Sequence, residues 1–202
     1  MKLNSLKVEL KRTQSKIFNL QETHFSRKGK FQMLDWHIFE TIRKKEHGSM
    51  VGVHVDLDPV LISEHNEDFE MLVVQVKTVT KEIRLISGYG PQETQTPDQR
   101  MPFFSKLEEE IVSAKLAKKS VIIQADANSK LGKEFIPNDP HPQSPNGEVL
   151  AAIIKRNALV VVNSLEGKCK GLITRKRITE DGIEESVIDF LIVSQDLVEQ
   201  VE

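Results

Sequence analysis

Leu3, Leu6 and Leu10 recur at helical spacing with Asn4 and Ser5 near the start, so the pattern predicts an amphipathic helix over residues 3–14. The next apolar run, Ile17-Phe18-Asn19-Leu20, is short and gives way to Gln21-Glu22-Thr23-His24. That is the signature of a buried strand delivering a carboxylate at its C-terminal end. Strand-like runs follow at Trp36 to Phe39, Met50 to Val55, Val60 to Ile62, Met71 to Val76 and Ile83 to Ile86, which predict a meander of antiparallel hairpins. Gly88-Tyr89-Gly90-Pro91 closes the last run as a turn. Phe103, Leu107, Ile111 and Ala114 then shift the period from two to 3.6 and predict a helix over roughly residues 98–118.

Ser120 to Ile123 reads as a second buried strand, running into Gln124-Ala125-Asp126-Ala127-Asn128 with Gly132 in the loop beyond. Residues 137–147, rich in Pro, Asn and Asp, predict a loop ending before a helix that carries Val149, Leu150, Ile153 and Ile154. Strands are expected at residues 159–162, from Gly171 to Arg177, and from Val187 to Val193 with Asp189 in the middle. Strands in the interior with helices among them imply an α+β fold in which two sheets pack face to face under covering helices. With no internal repeat and no Gly/Ser linker, a single domain over residues 1–202 is expected.

The 202 residues, 39% apolar and 29% charged, suffice for one good core and exclude fibrous and disordered classes. The formal net charge of −2 gives no global basic field, so a polyanion has to be met locally. Charge is uneven: residues 1–50 carry 11 basic and 5 acidic residues, and residues 178–202 carry 8 acidic and no basic ones. That contrast marks either a basic rim or ordinary solvated faces. The apolar runs fall far short of the roughly 20 residues that span a bilayer, so no membrane partner is expected. The basic N-terminus has no uninterrupted apolar stretch and reads as folded protein, neither a secretory signal nor a transit peptide. A single cysteine, Cys169, excludes intrachain disulfides and thiolate clusters and fits a reducing, intracellular setting.

Three acids stand in or just after apolar strands, where an unpaired charge is costly: Glu22, Asp126 and Asp189. Each alone is compatible with capping a turn. Acids converging from separate strand ends also suit a hard divalent cation, since magnesium uses one or two carboxylates with water and phosphate oxygens. Among the histidines, His37, His47, His54, His65 and His141 show no ligand pair at metal-binding spacing. His24 reads as a neighbour of a site rather than its base, and Trp36 as a core residue.

Taken together, Leu20-Gln21-Glu22-Thr23-His24, Gly88-Tyr89-Gly90-Pro91, Asp126-Ala127-Asn128 and Ser186-Val187-Ile188-Asp189-Phe190 resemble, in order and spacing, the endonuclease/exonuclease/phosphatase family that includes deoxyribonuclease I. Gln21 to Phe31, Asp126 to Gly132 and Gly171 to Arg177 resemble in particular the apurinic-type endonuclease domains of animal non-long-terminal-repeat retrotransposons. The resemblance implies a four-layer αββα sandwich and metal-dependent phosphodiester hydrolysis on DNA. It implies Glu22 as the ligand of Mg2+ or Mn2+, Tyr89 as a phosphate contact, and Asp126 as the group that orients or deprotonates the attacking water. Asn128 would hydrogen-bond a phosphate oxygen and Asp189 would support a catalytic histidine. Ala125 stands where many members have glycine.

Phosphodiester hydrolysis needs an activated water, in-line geometry and positive charge at the phosphoryl oxygens, which these residue types supply. Thr174, Arg175, Lys176 and Arg177, with Lys168 and Lys170, are candidate contacts to the DNA backbone or the charged guard of an exposed edge strand. Arg27, Lys28 and Lys30 form a second basic group.

Two family features have no counterpart in the sequence: a first strand bearing an asparagine ahead of residue 3, and a closing Ser-Asp-His strand. Loss of a single stabilising donor typically costs about 10²–10³ in rate, so low activity, unpaired sheet edges and association are expected. The resemblance further implies a reverse transcriptase downstream as partner and a nuclear location. A phosphatase of the same fold and a catalytically inactive nucleic-acid or protein binding module are the competing readings.

Overall fold

The chain alternates short extended runs with three amphipathic segments, and the computed structural model resolves this pattern into layers. It describes residues 3–23, 30–41, 48–137, 139, 141–165, 167–168, 173–179 and 182–200. Helix α1 (Leu3–Thr13) precedes strands β1 (Ile17–Leu20), β2 (Lys30–Met33), β3 (Trp36–Thr41) and β4 (Ser49–His54). These strands form an antiparallel sheet in the order β1-β4-β3-β2. A 3-10 turn at Val55–Leu57 carries the chain to a second sheet. That sheet begins with β5 (Val60–His65), β6 (Glu70–Lys77) and β7 (Glu82–Tyr89), an antiparallel meander, so the single run of hairpins expected from Trp36 to Ile86 is divided between two sheets after β4.

Helix α2 (Pro97–Leu116) crosses to β8 (Ser120–Asp126), which runs parallel to β7. Helix α3 (Pro145–Arg156) then leads through β9 (Leu159–Val161) to a two-stranded ribbon, β10 (Arg175–Thr179) and β11 (Gly182–Ser186). Strand β12 (Asp189–Ser194) inserts between β8 and β9, completing the order β5-β6-β7-β8-β12-β9.

The two sheets face each other through Phe39, Val51 and Val53 on one side and Leu72, Val74, Val76, Leu85 and Val193 on the other. Helix α1 lays Leu6 and Leu10 on the outer face of the small sheet, over Trp36, Ile38 and Met50. Helices α2 and α3 cover the outer face of the large sheet with Phe103, Phe104, Leu107, Ile111, Leu150 and Ile154. This is the four-layer αββα sandwich that the resemblance implies. Each Å² of apolar surface that these side chains withdraw from water stabilises the fold by about 25 cal/mol. Gly52, the register partner of Phe18, is required: a Cβ there would lie 2.0 Å from the Phe18 ring.

Several expectations need correction. Strand β1 is half-buried at a sheet edge rather than fully buried, and β2 escaped the pattern because three of its four residues are exposed. Helix α3 starts within the expected 137–147 loop, because Ser144 accepts from Gly147 N as the cap and Pro145 fits the first helical position. The strand expected from Gly171 begins at Arg175, with residues 171–172 outside the described set, and its partner β11 was not foreseen. Asp189 is the first residue of β12 rather than its middle, since Val187 and Ile188 are buried without joining the ladder.

Candidate active site

The large sheet grades from apolar to polar along its inner face. In one register row Val74, Leu85, Ile122 and Val193 align, in the next Leu72, Ser87, Gln124 and Leu191, and in the last Glu70, Tyr89, Asp126 and Asp189. Parallel β7 and β8 both end at this row, while β12, antiparallel to β8, begins there. Register alone therefore brings Tyr89, Asp126 and Asp189 side by side, with neighbouring strands about 4.8 Å apart. Ala125 points to the opposite face, into the core under α2 and α3, so its methyl group leaves the row undisturbed.

The small sheet contributes through the exit of β1. Asn19 donates from Nδ2 to Gln124 O at 2.9 Å and accepts from Ser87 Oγ at 2.7 Å. Gln21 donates from Nε2 to Gly88 O at 3.1 Å, and its Oε1 lies 2.5 Å from Ser49 Oγ. Ser49 Oγ is also 2.8 Å from Oε2 of Glu70, whose Oε1 accepts from Gly48 N at 3.3 Å. Beyond Gln21 the chain turns sharply. Glu22 has φ 52°, a left-handed conformation costly for a non-glycine residue, and accepts from Tyr89 Oη at 3.0 Å. Thr23 N then donates to Gly48 O at 3.0 Å, and its hydroxyl meets buried Glu40 at 3.3 Å.

The loop after β8 is held as firmly. Asn128, also left-handed at φ 44°, donates its backbone N–H to Asp126 Oδ1 at 3.1 Å and its amide to Gly90 O at 2.8 Å. Gly90 N continues the ladder to Asp126 O at 2.7 Å, and a Cβ on Gly90 would stand 2.4 Å from Ala127 O. Fully buried Asn146, near the start of α3, ties Pro91 O and Asn128 O together at 2.7 and 3.2 Å. Thr174 Oγ1 accepts from Ile188 N at 2.9 Å and Asp189 N at 3.2 Å, and Asn163 bonds Asp189 O and Leu191 N. An open cleft of about 470 Å³ lies between the sheets here, lined by Asn19, Gln21, Asp126, Asn163, Thr174 and Asp189.

Crowding sets the charge states. Burial, reinforced by the neighbouring Asp189 and Glu22 carboxylates, raises Asp126 from 3.8 to about 6 against its bond from Asn128. Burial also raises Asp189, opposed by the Thr174 hydroxyl, with Glu22 pushing it further up. Burial and then the bond to Glu22 push Tyr89 up to about 12, so the phenol keeps its proton at neutral pH.

Glu22, Tyr89, Asp126, Asn128, Asp189 and Thr174 are thus brought to one place, and the charge of Arg175 reaches Asp126. Lys176 is paired with Glu185 on the ribbon at 2.5 Å, and Lys30 sits on β2 over the Phe39 ring. His54 packs against Trp36, His65 stacks on Phe69 and His141 bonds Glu185 O. His24, Arg27, Lys28, His47, Cys169 and Lys170 lie outside the described residues. The pattern missed Ser49, Glu70, Asn146 and Asn163. Only Glu70, an acid opening an apolar strand, carried a sequence signal.

Among the described residues, no three His, Cys, Asp or Glu side chains form a ready-made cation cage. Magnesium does not need one, because it binds through one or two carboxylates and fills its shell with water and phosphate oxygens. Asp126, raised first by burial and then by the Asp189 and Glu22 carboxylates, shares with them an excess of negative charge that a divalent cation neutralises, so the donor set fits.

A scan against protein-family models gives no match, and neither does a search of curated protein sequences. Solved structures do match. The endonuclease domain of TRAS1, a telomere-specific non-LTR retrotransposon, superposes with TM-score 0.65 at 18% identity, covering 97% of this chain and 80% of that one. A 3'-5' exonuclease, NExo, from Neisseria meningitidis gives 0.69 at 16% identity, over 98% of this chain and 83% of that one. The same enzyme is also described as a 3' phosphatase bound to a product DNA hairpin. The APE2 catalytic domain of Xenopus laevis gives 0.68 at 13% identity over 96% and 78%. These likenesses establish the deoxyribonuclease I-like α+β fold.

Proposed function

We propose that the chain is a metal-dependent phosphodiesterase acting on DNA, an endonuclease domain of retrotransposon type that nicks one strand. The observation that carries this reading is the convergence of Glu22, Tyr89, Asp126, Asn128 and Asp189 at the polar end of the inter-sheet gap. Glu22 would hold Mg2+ or Mn2+, which supplies positive charge to the scissile phosphate when bound. Asp126, raised to about 6, is deprotonated at neutral pH yet basic enough to take a proton from an attacking water. Tyr89, protonated because its pKa lies near 12, offers a hydrogen bond to a phosphoryl oxygen, and the Asn128 amide stands beside it. Thr174 lines the cleft where the DNA backbone would run and acts mainly by fixing Asp189, while Arg175, next to it in sequence, would serve as counter-charge. Action on chromosomal DNA implies a nuclear setting and a reverse transcriptase as the consumer of the nick.

The test is nicking of supercoiled plasmid with magnesium, beside a chelator control and Asp126→Asn. Metal-dependent nicking lost in the variant is expected, and Glu22→Gln should raise the magnesium concentration required. Release of inorganic phosphate from 3′-phosphorylated ends without nicking would replace this reading by a phosphatase. Salt-sensitive DNA binding with no cleavage would replace it by a binding module.

A further inference from the structure

Two loops leave the site row side by side, one from the end of β7 through Gly90 and Pro91, the other from the end of β8 through Asn128. The parallel ladder between these strands stops at Tyr89 and Asp126, and one further bond, from Gly90 N to Asp126 O, extends it. Beyond that bond the carbonyls of Pro91 and Asn128 lie outside any strand. Asn146 serves both. Its Nδ2 donates to Pro91 O at 2.7 Å and to Asn128 O at 3.2 Å, and the residue is fully buried, so it meets neither DNA nor cation.

The orientation of this amide is fixed from behind. Arg100 Nη1, on α2, donates to Asn146 Oδ1 at 2.8 Å, and a guanidinium offers donors only. The amide oxygen must therefore face Arg100 and the amide hydrogens must face the loops. The start of α3 is in turn pressed on the loop after β8. Ser144 N donates to Lys130 O at 3.0 Å, Ser144 Oγ accepts from Lys130 N at 2.9 Å, and a Cβ on Gly147 would collide with Lys130 O. What Asn146 holds is costly. Asn128 keeps its left-handed φ of 44°, and the carbonyl that Asn146 grips takes its direction from that conformation. Once released, Asn128 is free to relax towards the ordinary backbone region and to carry its side chain away from Gly90 O.

We infer that Asn146 is a positioning residue of the site: oriented by Arg100, it sets the spacing of Tyr89 and Asn128 around the scissile phosphate without touching DNA or cation. The inference rests on reading the row as a phosphodiesterase site, and it adds a determinant of rate that lies wholly behind that row. Misplacing groups that act on the reacting phosphate by about 1 Å costs on the order of 10²-fold in rate, whereas affinity drawn from contacts along the DNA backbone survives.

The variant that isolates this role is Asn146→Asp, which keeps the shape and the Arg100 bond but sets a carboxylate oxygen against two carbonyl oxygens. Single-turnover nicking at saturating DNA and magnesium is expected to slow by about 10–100-fold, with the DNA Kd and the magnesium concentration for half-maximal rate within about twofold of wild type. Arg100→Met removes only the orienting donor and is expected to slow nicking less, and the double variant to be no slower than Asn146→Asp alone. Amide hydrogen exchange followed by 15N NMR in EDTA gives a readout without chemistry. Gly90 and Asn128 N–H should lose protection in both variants while the β6–β7 ladder keeps its own. A folded Asn146→Asp protein that nicks at the wild-type rate overturns the inference. So does loss of protection spread evenly over the chain, the mark of a residue that only supports the fold. Should Asn146→Asp not fold, Arg100→Met decides by the same two readouts. Should the wild type itself not nick, the endonuclease reading fails on its own, and exchange at Gly90 and Asn128 still decides: local opening supports the positioning role and unchanged protection overturns it.

Discussion

The two halves of the candidate site are held by different forces. Tyr89, Asp126 and Asp189 sit in one register row of the large sheet, each fixed by a backbone ladder and by neighbouring strands. Glu22 comes from β1, an edge strand of four residues, and its place depends on side chains crossing the gap between sheets. Backbone ladders are insensitive to side-chain identity, whereas a bridge of Asn19, Gln21, Ser49 and Glu70 fails when one member is lost. The acid proposed to act on water therefore stands on the robust half, and the residue proposed to hold the cation on the fragile half. Mutations should separate the two.

The largest effect belongs to the row. Asp126→Asn keeps the register but removes the base, and a loss of about 10²–10⁴ in nicking rate is expected with DNA affinity retained, measured by single-turnover cleavage and anisotropy. The same change should stabilise the chain. Asp126 is raised from 3.8 to about 6, so the folded state favours its protonated form. Its contribution to stability is full below pH 4, falls as pH rises through the interval, and is lost above about 6. The gap corresponds to about 3 kcal/mol. Without metal, Asp126→Asn should therefore be more stable than the wild type at pH 8 by up to that amount and no more stable at pH 3.5, measured by urea unfolding. Added magnesium should narrow the difference at pH 8, because a bound cation stabilises the ionised carboxylates.

Breaking the bridge comes next. Glu70→Ala leaves Gly48 N and Ser49 Oγ without their carboxylate in a buried place, a loss of about 1.5–3 kcal/mol. It should also raise the magnesium concentration for half-maximal nicking more than it lowers the rate at saturation, since Gln21 and Glu22 lose their support while Asp126 does not. An equal fall in both would place Glu70 with the row and end the contrast. Thr174→Val should cost about 1 kcal/mol through its bonds to Ile188 and Asp189 N, and should raise Asp189 further by removing the hydroxyl that opposes its rise.

The same division explains what was legible beforehand. Glu22, Tyr89, Asp126 and Asn128 follow apolar runs that end where strands end, so a one-dimensional pattern locates them. Ser49, Glu70, Asn146 and Asn163 act through partners 18 to 55 residues away in sequence, chosen by register and layer packing that no local period encodes. Asp189 was found but misplaced, because buried Val187 and Ile188 prolong the apolar run beyond the ladder. Strands β2 and β11 were invisible for the opposite reason: all but one residue of each is exposed or only half-buried, and nothing forces alternation on residues that meet water.

The smallest effect tests a third region, the ribbon beside the cleft. Lys176 pairs with Glu185 directly across β10 and β11, with 67% and 41% of the two side chains exposed. Exposed pairs of this kind contribute about 0–1 kcal/mol, so Lys176→Ala should move the unfolding midpoint very little. If the ribbon runs along the DNA backbone, its contribution is instead electrostatic and additive. Removing one phosphate contact should then lower the slope of log affinity against log salt by about 0.9, uniformly across sequences. An unchanged slope would assign Lys176 to guarding an exposed ribbon, and would confine DNA contacts to the row and the cleft it borders.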